Sequence, residues 1–406
     1  MKCVYFLNKL LTNVCIYSMI LLSGVIMIMK IYKAYQFRLY PTKEQEVFIR
    51  KTFGCTRFVY NYCLDLKRKN KYLTKFDLIK ELPRLKKEYP FLKEVDSMSL
   101  QNAITDLMIG FAKFEKHQGG YPRFKKKGEK ESFRTNLITS SYKGKVYENI
   151  KVDLIRRVIE LPKLKLVKIK GYRNLDKITG RILNATISEI GTRFYVSVCV
   201  EEELELAERT NNKAVGIDIG VKNLIVTSDK KYYKNPKYLA KYEIKIKRLQ
   251  QELARKIKGS KNYIKCKKKL EEEYRKLKNA RKKLVEKIVS KITKRYDIII
   301  AENLQVKKMI ENKENHKSLR REISNVTFKE FIRILKYKCL WRNLLFIQLS
   351  PYYASSRICS RCGNKEEEMK DIRVREFKCS KCGLEIERDY NASINILKEG
   401  LKCYNN

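Results

Sequence analysis

The 406-residue chain is short of acid: 45 Asp and Glu face 91 Lys and Arg, a formal net charge of +46. Such an excess repels itself unless a polyanion shares it, so a nucleic acid is the expected partner. Abundant Lys, Ile and Asn also fit an AT-rich genome, which raises Lys without accounting for so lopsided a balance. The chain lacks a disulfide framework as well. Four of its twelve cysteines are grouped, and Cys3, Cys15, Cys55, Cys63, Cys199, Cys266, Cys339 and Cys403 are scattered without pairing logic, as in a reducing cytoplasm. A second glycine-rich phosphate loop is also missing. The Gly216–Gly220 turn resembles the phosphate cradle of actin-like ATPases, but alone it does not make one, and that reading leaves the charge unexplained. Long apolar runs are absent with one exception, the twenty uncharged residues between Lys9 and Lys30. By itself this run is a signal-anchor or marginal transmembrane candidate. An anchor fits poorly with a basic cytoplasmic chain, and globular patterning begins after Met29. Residues 1–28 are therefore read as an upstream extension, with Met27 or Met29 as the working start, and a membrane partner is not expected.

What is present begins with Cys359/Cys362 and Cys379/Cys382, two Cys-x-x-Cys pairs. Four thiolates at this spacing form the tetrahedral ligand set of a structural zinc ion, the alternative being two disulfides or four unrelated thiols. Gly363 and Gly383 each follow a second cysteine, where a knuckle turn needs positive φ.

Upstream, residues 30–39 read as a strand ending at Pro41, and Thr42 with Gln45 forms a capping-box signature. Residues 42–115 show helical spacing of apolar positions. Gly119-Gly120-Tyr121-Pro122 breaks that region, and the following basic, aromatic-interleaved loop suits phosphate tracking, though it also reads as a solvated lysine run. Residues 130–205 turn strand-like, with a hairpin across Gly191-Thr192, and form a small barrel or curved sheet. The segments AVGIDIG and NLIVTSD read as adjacent strands. Residues 238–295 read as a helical hairpin whose apolar stripes include Leu249, Leu253 and Ile257 on one arm and Leu270, Tyr274 and Leu277 on the other. IIIAE reads as a central strand covered on both faces. Strands alternating with helices predict an α/β layer domain over about 210–400, with the cysteine ribbon inserted in it.

Three carboxylates stand at element ends: Asp218 in GIDIG, Glu302 after IIIA, and Asp389 at the start of the last helix. Acids at the ends of buried strands are costly unless metal ions or hydrogen bonds compensate, and hard divalent cations take carboxylate oxygens. Each alone is a weak signal, and Asp389 taken singly is read as an N-cap.

The segments GIDIGVKN, IIIAENL and CSRCG…CSKCG…ERDYNASINI, with YQFRLYPTKEQ, FGCTRFVYNYCL, GGYPRFKKK and SPYYASSRICSRCG, together resemble the TnpB family over about residues 30–400. These are transposon-encoded relatives of type V CRISPR effectors. Glu387 stands where the family often has Asp, and residues 1–28 have no counterpart. The resemblance implies a multidomain α+β chain. Residues 29–41 and 117–208 would form a wedge-type β-barrel split around a helical recognition domain at 42–116. Residues 209–355 and 386–400 would form an RNase H-like (RuvC) α/β nuclease domain with a zinc ribbon inserted at 356–385, leaving 401–406 as a tail. It further implies guide RNA from the transposon end, double-stranded target DNA recognised beside a short adjacent motif, and cleavage by two-metal phosphodiester hydrolysis. Asp218, Glu302 and Asp389 would hold two Mg²⁺, with Mn²⁺ able to substitute, and Zn²⁺ would be structural. Gln101, Asn102, Arg123, Lys125, Lys126 and Lys127 are candidate nucleic-acid contacts. The competing expectation is a catalytically inactive nucleic-acid-binding regulator of transposition.

Overall fold

The computed structural model describes residues 16–21, 24–142, 145–171, 178–206, 212–220, 223–236, 239–304, 311, 328–371 and 374–405. Two compact units divide the chain, Lys30–Glu203 and a second formed by Met1–Met29 with Leu204–Asn406.

Strand β1 (Ile16–Leu21) pairs antiparallel with β2 (Gly24–Tyr40), so the first long strand begins at Gly24 rather than Lys30. Part of the expected leader is thus hairpin; residues 1–15, also in that expectation, lie outside the described residues. Helix α1 (Lys43–Lys69) follows, and Thr42 and Gln45 exchange the two bonds of a capping box at 3.3 and 3.1 Å. Helix α2 (Lys75–Glu88) opens on a second box, Thr74 with Asp77. Helix α3 (Ser97–Glu115) is capped by Asp96, whose carboxylate also accepts from Thr135 at 2.8 Å. Leu64, Leu78, Leu85, Leu100 and Ile104 close a core among these helices with no exposed surface.

The remainder of this unit is antiparallel sheet: β3 (Ser132–Asn136), the small hairpin β4–β5 (Thr139–Tyr142, Lys145–Glu148), β6 (Lys151–Asp153), β7 (Val158–Leu161), β8 (Lys165–Lys170), β9 (Arg181–Ile190) and β10 (Arg193–Leu206). The ladder runs β3-β9-β10-β2-β8-β7-β6, and its end strands β3 and β6 are not paired with each other among the described residues. Among the described residues it is an open sheet by hydrogen bonding rather than a closed barrel. Phe194, Val196, Val198 and Val200 alternate inward and are buried, as the period-2 pattern requires.

The second unit is a five-stranded mixed sheet. Its strands are β11 (Ala214–Asp218), β12 (Asn223–Thr227), β13 (Tyr232–Lys234), β14 (Ile298–Ala301) and β15 (Leu345–Gln348), ordered β13-β12-β11-β14-β15. β11, β14 and β15 are parallel, β12 pairs antiparallel with β11, and β13 pairs antiparallel with β12 at the sheet edge. Between β13 and β14 lie α4 (Leu239–Ala254) and the 33-residue α5 (Lys261–Thr293), capped by Ser260. Leu249, Cys266, Leu270 and Leu277 zip the two helices together. Ile257 is 83 % exposed and Tyr274 45 % exposed, so neither belongs to the expected stripes. Ile257 falls beyond the end of α4, where the helical period no longer applies.

The C-terminal half of α5 and helix α6 (Phe328–Trp341) cover one sheet face through Val285, Ile288, Val289, Phe331 and Leu335, against Val215, Ile217, Ile299 and Ala301. The opposite face, carrying Ile298 and Ile300, packs against Ile396, Leu397 and Leu401 of the last helix, α7 (Arg388–Asn405). Residues 401–405, expected as a tail, are its final turn. Before α7 stand the ribbon strands β16 (Glu376–Lys378) and β17 (Glu385–Glu387). No helix of the described residues is long and apolar enough to cross a membrane.

Candidate active site and cysteine ribbon

Alternation along parallel strands builds the acid site. In the β11–β14 register Ile217 lies beside Ala301, so the next residues on each strand, Asp218 and Glu302, stand level at the carboxyl ends of two adjacent parallel strands. Ile217 and Ala301 face α5 and α6; their neighbours therefore face the other way, toward α7. Gly216 confirms the geometry. A Cβ built on it would lie 2.2 Å from the Ser393 carbonyl and 2.6 Å from the Leu397 nitrogen. Contact with the backbone of α7 is the tight constraint that keeps position 216 a glycine.

Asp389 sits in the first turn of α7, where the helix N-terminus favours an anion. Its Oδ2 lies 3.9 Å from a Cβ built on Gly220, which closes the turn after Asp218. Burial first, then the charges of Glu302 and Asp389, push the Asp218 carboxyl well above its ordinary value. Burial likewise raises Glu302, opposed by the Ser355 hydroxyl that donates to its Oε1. Arg375 stands 3.9 Å from Asp389 Oδ1. Buried carboxylates of like charge, partly offset by the Ser355 hydroxyl and the Arg375 and Arg388 guanidinium groups, form a site poised for cations. The acids do not converge on a single point; among the described residues the group whose ligand atoms do is the cysteine quartet.

The sulfurs of Cys359, Cys362, Cys379 and Cys382 all lie within 4.8 Å of one another. Cys359–Cys382 is 3.6 Å and Cys362–Cys379 is 3.5 Å. A disulfide requires ~2.05 Å, whereas a tetrahedron of ~2.3 Å zinc–sulfur bonds sets sulfurs ~3.8 Å apart. The knuckles are equivalent: Gly363 at φ 78° and Gly383 at φ 66° each donate to the carbonyl of the first cysteine of the pair at 3.0 Å. Desolvation raises the Cys359 thiol, but the backbone N–H groups of Cys362 and Arg361 outweigh it and bring it down to about 7. The donor set fits zinc.

Sequence reasoning missed what joins ribbon and acids. One face of α7 reads the backbone just before and within the first knuckle. Asn391 donates to the Ile358 carbonyl at 2.7 Å and accepts from the Ser360 N–H at 2.9 Å. Asn395 donates to the carbonyls of Ser355 and Ile358 at 2.8 and 2.6 Å, and Lys398 to that of Ser360 at 2.5 Å. Arg388, buried beside Asp389, donates to the carbonyls of Asp371 and Val374 at 2.6 and 3.1 Å. The available signal was two asparagines four apart in a helix, residues that helices disfavour unless their amides have work to do.

The candidate nucleic-acid residues lie in the other unit and separate into two groups. Asn102 is 5 % exposed, and its amide donates to the Arg134 carbonyl and to Asn136. It is a core tie between α3 and β3, which corrects its assignment as a surface contact. Gln101 is half-buried on the same helix. Lys125 has its backbone clamped by Asn61 and its ammonium 4.0 Å above the Tyr60 ring, where desolvation lowers its pKa. Lys125 is nonetheless exposed. Arg123, Lys126 and Lys127 are exposed, on a loop whose Phe124 carries the Arg68 guanidinium at 4.4 Å.

A family model described as a probable transposase matches residues 197–313, a Cas12f1-like TNB domain matches 328–396, and a helix-turn-helix domain matches 27–75. In the structure that last span is β2 and α1 rather than a pair of helices. The chain is 30 % identical over 390 residues to the "Putative RNA-guided DNA endonuclease InsQ" of Escherichia coli, covering 92 % of this chain and 93 % of that one. It is 28 % identical to a "Putative RNA-guided DNA endonuclease" of Streptomyces pristinaespiralis, covering 92 % and 91 %. The fold resembles the protein in a Cas12f1–sgRNA–target DNA complex, with a TM-score of 0.58 at 14 % identity over 90 % of this chain and 98 % of that one.

Proposed function

Because the chain belongs to the TnpB family, as its full-length likeness to the Escherichia coli relative shows, we propose that it is an RNA-guided DNA endonuclease of RuvC type. The observation that carries the reading is that acids from three distant parts of the chain come within electrostatic reach of Asp218. Asp218 and Glu302 stand level at the carboxyl ends of parallel strands, with Asp389 coupled to them from α7. Ligand sites of open α/β sheets lie at such strand ends.

In this reading Asp218, Glu302 and Asp389 hold divalent cations, Mg²⁺ or Mn²⁺. Bound there, such cations lower the pKa of water and stabilise charge on a leaving oxygen, which suits phosphodiester hydrolysis. Ser355 orients Glu302, and Arg375 flanks Asp389. The Cys359–Cys362–Cys379–Cys382 ribbon takes structural zinc and holds the segment that carries Ser355. The Lys30–Glu203 unit supplies the wedge and recognition parts, with Arg123, Lys126 and Lys127 as phosphate contacts. Specificity comes from guide RNA made from the transposon end and paired with target DNA beside a short motif, while the protein holds the heteroduplex by backbone charge. The protein acts in the cytoplasm.

The test is cleavage by the full chain purified with its own RNA. Mg²⁺-dependent cutting of matched duplex DNA by wild type and none by Asp218→Ala is expected. Full cutting by Asp218→Ala overturns the catalytic assignment. Wild-type binding of RNA and target without cutting, in Mg²⁺ and Mn²⁺ alike, would establish the inactive regulator instead.

A further inference from the structure

Strand β13 and the last turn of α5 wall a cleft of about 530 Å³ lined by Lys231, Tyr232, Tyr233, Lys291, Lys294 and Arg295. Lysines at a helix C-terminus are favoured by the helix dipole, which accounts for Lys291 and Lys294 by themselves. It does not account for the facing wall, where a different element presents Lys231 and two tyrosines. Nor is the charge internally neutralised. Asp229 takes Lys231 at 2.5 Å and lies 4.0 Å from Arg295, while Lys291 and Lys294 have no acidic partner among the described residues. Another basic cleft of this unit, between α4 and α5, differs. There Lys245, Arg248, Lys265, Lys268 and Lys269 share the walls with three glutamates, and Glu273 alone takes Lys245 at 3.0 Å and Lys276 at 2.8 Å.

The cleft also has a direction. Tyr232 hydrogen-bonds to Glu387, and the Lys230 ammonium lies 5.9 Å from the Tyr390 ring. These partners bracket Asp389 in sequence, so β13 reaches toward the segment carrying the third acid, while the basic wall stands at the amino ends of β11 and β14, where Asp297 N–H donates to the Lys213 carbonyl. A cationic trough with aromatic walls is the composition that tracks a sugar–phosphate backbone, with rings available to unstacked bases.

We propose that this cleft binds the phosphodiester backbone of a single nucleic-acid strand. The strand's onward path to the acids rests on the nuclease reading; binding itself does not require cleavage. DNA and RNA share this chemistry, and the test separates them.

The experiment measures binding of a short single-stranded DNA, and of RNA of the same sequence, to the full chain across a salt titration without added divalent cations. Each phosphate contact contributes ~0.7 to the slope of log affinity against log salt on single strands, so K291Q/K294Q/R295Q is expected to lower the slope by about 2. K265Q/K268Q/K269Q, which removes the same charge from the internally compensated cleft, is expected to change it less than half as much. The single exposed substitution Lys291→Glu, which leaves Arg295 and Asp229 in place, is expected to lower the slope on its own. A loss confined to DNA identifies the occupant as a DNA strand, and a loss confined to RNA identifies the guide. Equal effects of the two triple variants, or an unchanged slope on both oligonucleotides with Lys291→Glu also silent, overturn the proposal. A wild type that never cuts while the slopes behave as stated removes the nuclease reading and leaves the cleft.

Discussion

Asn391 closes two hydrogen bonds around the first cysteine knuckle, donating to Ile358 O at 2.7 Å and accepting from Ser360 N at 2.9 Å. It is fully buried and lies two residues after Asp389. The helix that carries the third acid is thereby locked to the cysteine ribbon through its own side chains.

Asn391→Ala leaves a buried N–H and a buried carbonyl deprived of this partner, and Asn395→Ala removes two further bonds. Each variant is expected to lose about 1–3 kcal/mol of stability, the cost of unsatisfied buried polar groups. Both amides donate to Ile358 O, so the double variant should deviate from the sum. Chemical denaturation of the single and double variants checks this, and wild-type midpoints would remove the lock.

The ribbon is expected to bind one zinc per chain and to depend on it. Its packed side chains are few, chiefly Met369 and Phe377 with the cysteines, so the metal carries much of its folding energy. Cys379→Ser should lower zinc content, stability and any cleavage activity without touching the acids. A folded, fully active Cys379→Ser protein would show the ribbon to be dispensable.

Gly216→Ala is expected to be worse than Gly400→Ala. The new Cβ meets backbone atoms of α7 at 2.2 and 2.6 Å at position 216, but the Ile300 side chain at 2.4 Å at position 400. A side chain can turn aside, at ~1–3 kcal/mol for overpacking, whereas a helix backbone cannot move without carrying Asp389 with it. Thermal unfolding ranks the two, and an unchanged melting temperature for Gly216→Ala contradicts the packing described.

The raised carboxyl of Asp218 fixes a sign for pH dependence. Its folded-state pKa lies above the unfolded value, so the folded chain binds the extra proton, and stability falls as pH rises from the ordinary carboxylate range through the raised value. At neutral pH without divalent cations this carboxyl opposes folding more than it does at acid pH. Asp218→Asn is therefore expected to melt higher than wild type there, with the advantage vanishing at acid pH. Added Mg²⁺ should stabilise wild type more than Asp218→Asn. A variant less stable than wild type at neutral pH would contradict the burial of that charge.

Local chemistry was legible wherever the cause spans a few residues. The Thr42–Gln45 capping box, the hairpin at Gly191, the two cysteine knuckles and the wholly buried Ile298–Ala301 strand all follow from propensity, turn chemistry or period. Asn102 misled because a polar helix residue reads as solvated until β3 arrives to take its amide. Ile257 misled because an apolar residue past the helix end keeps the stripe's spacing without its geometry. The hairpin of β1 and β2 was hidden because an apolar run of that length also suits a membrane segment.

The sequence by itself determined the polyanion charge, the four-thiol set and the presence of an acid at the end of each of three elements. These are properties of composition and short spacing, independent of the path of the chain. Only the tertiary structure decided that Asp218 stands level with Glu302, 84 residues away, that Asp389 joins them, and that Asn391 and Asn395 bind α7 to the ribbon. Strand register and helix docking decide these meetings. Both are set by burial of faces against distant partners, which no local window contains.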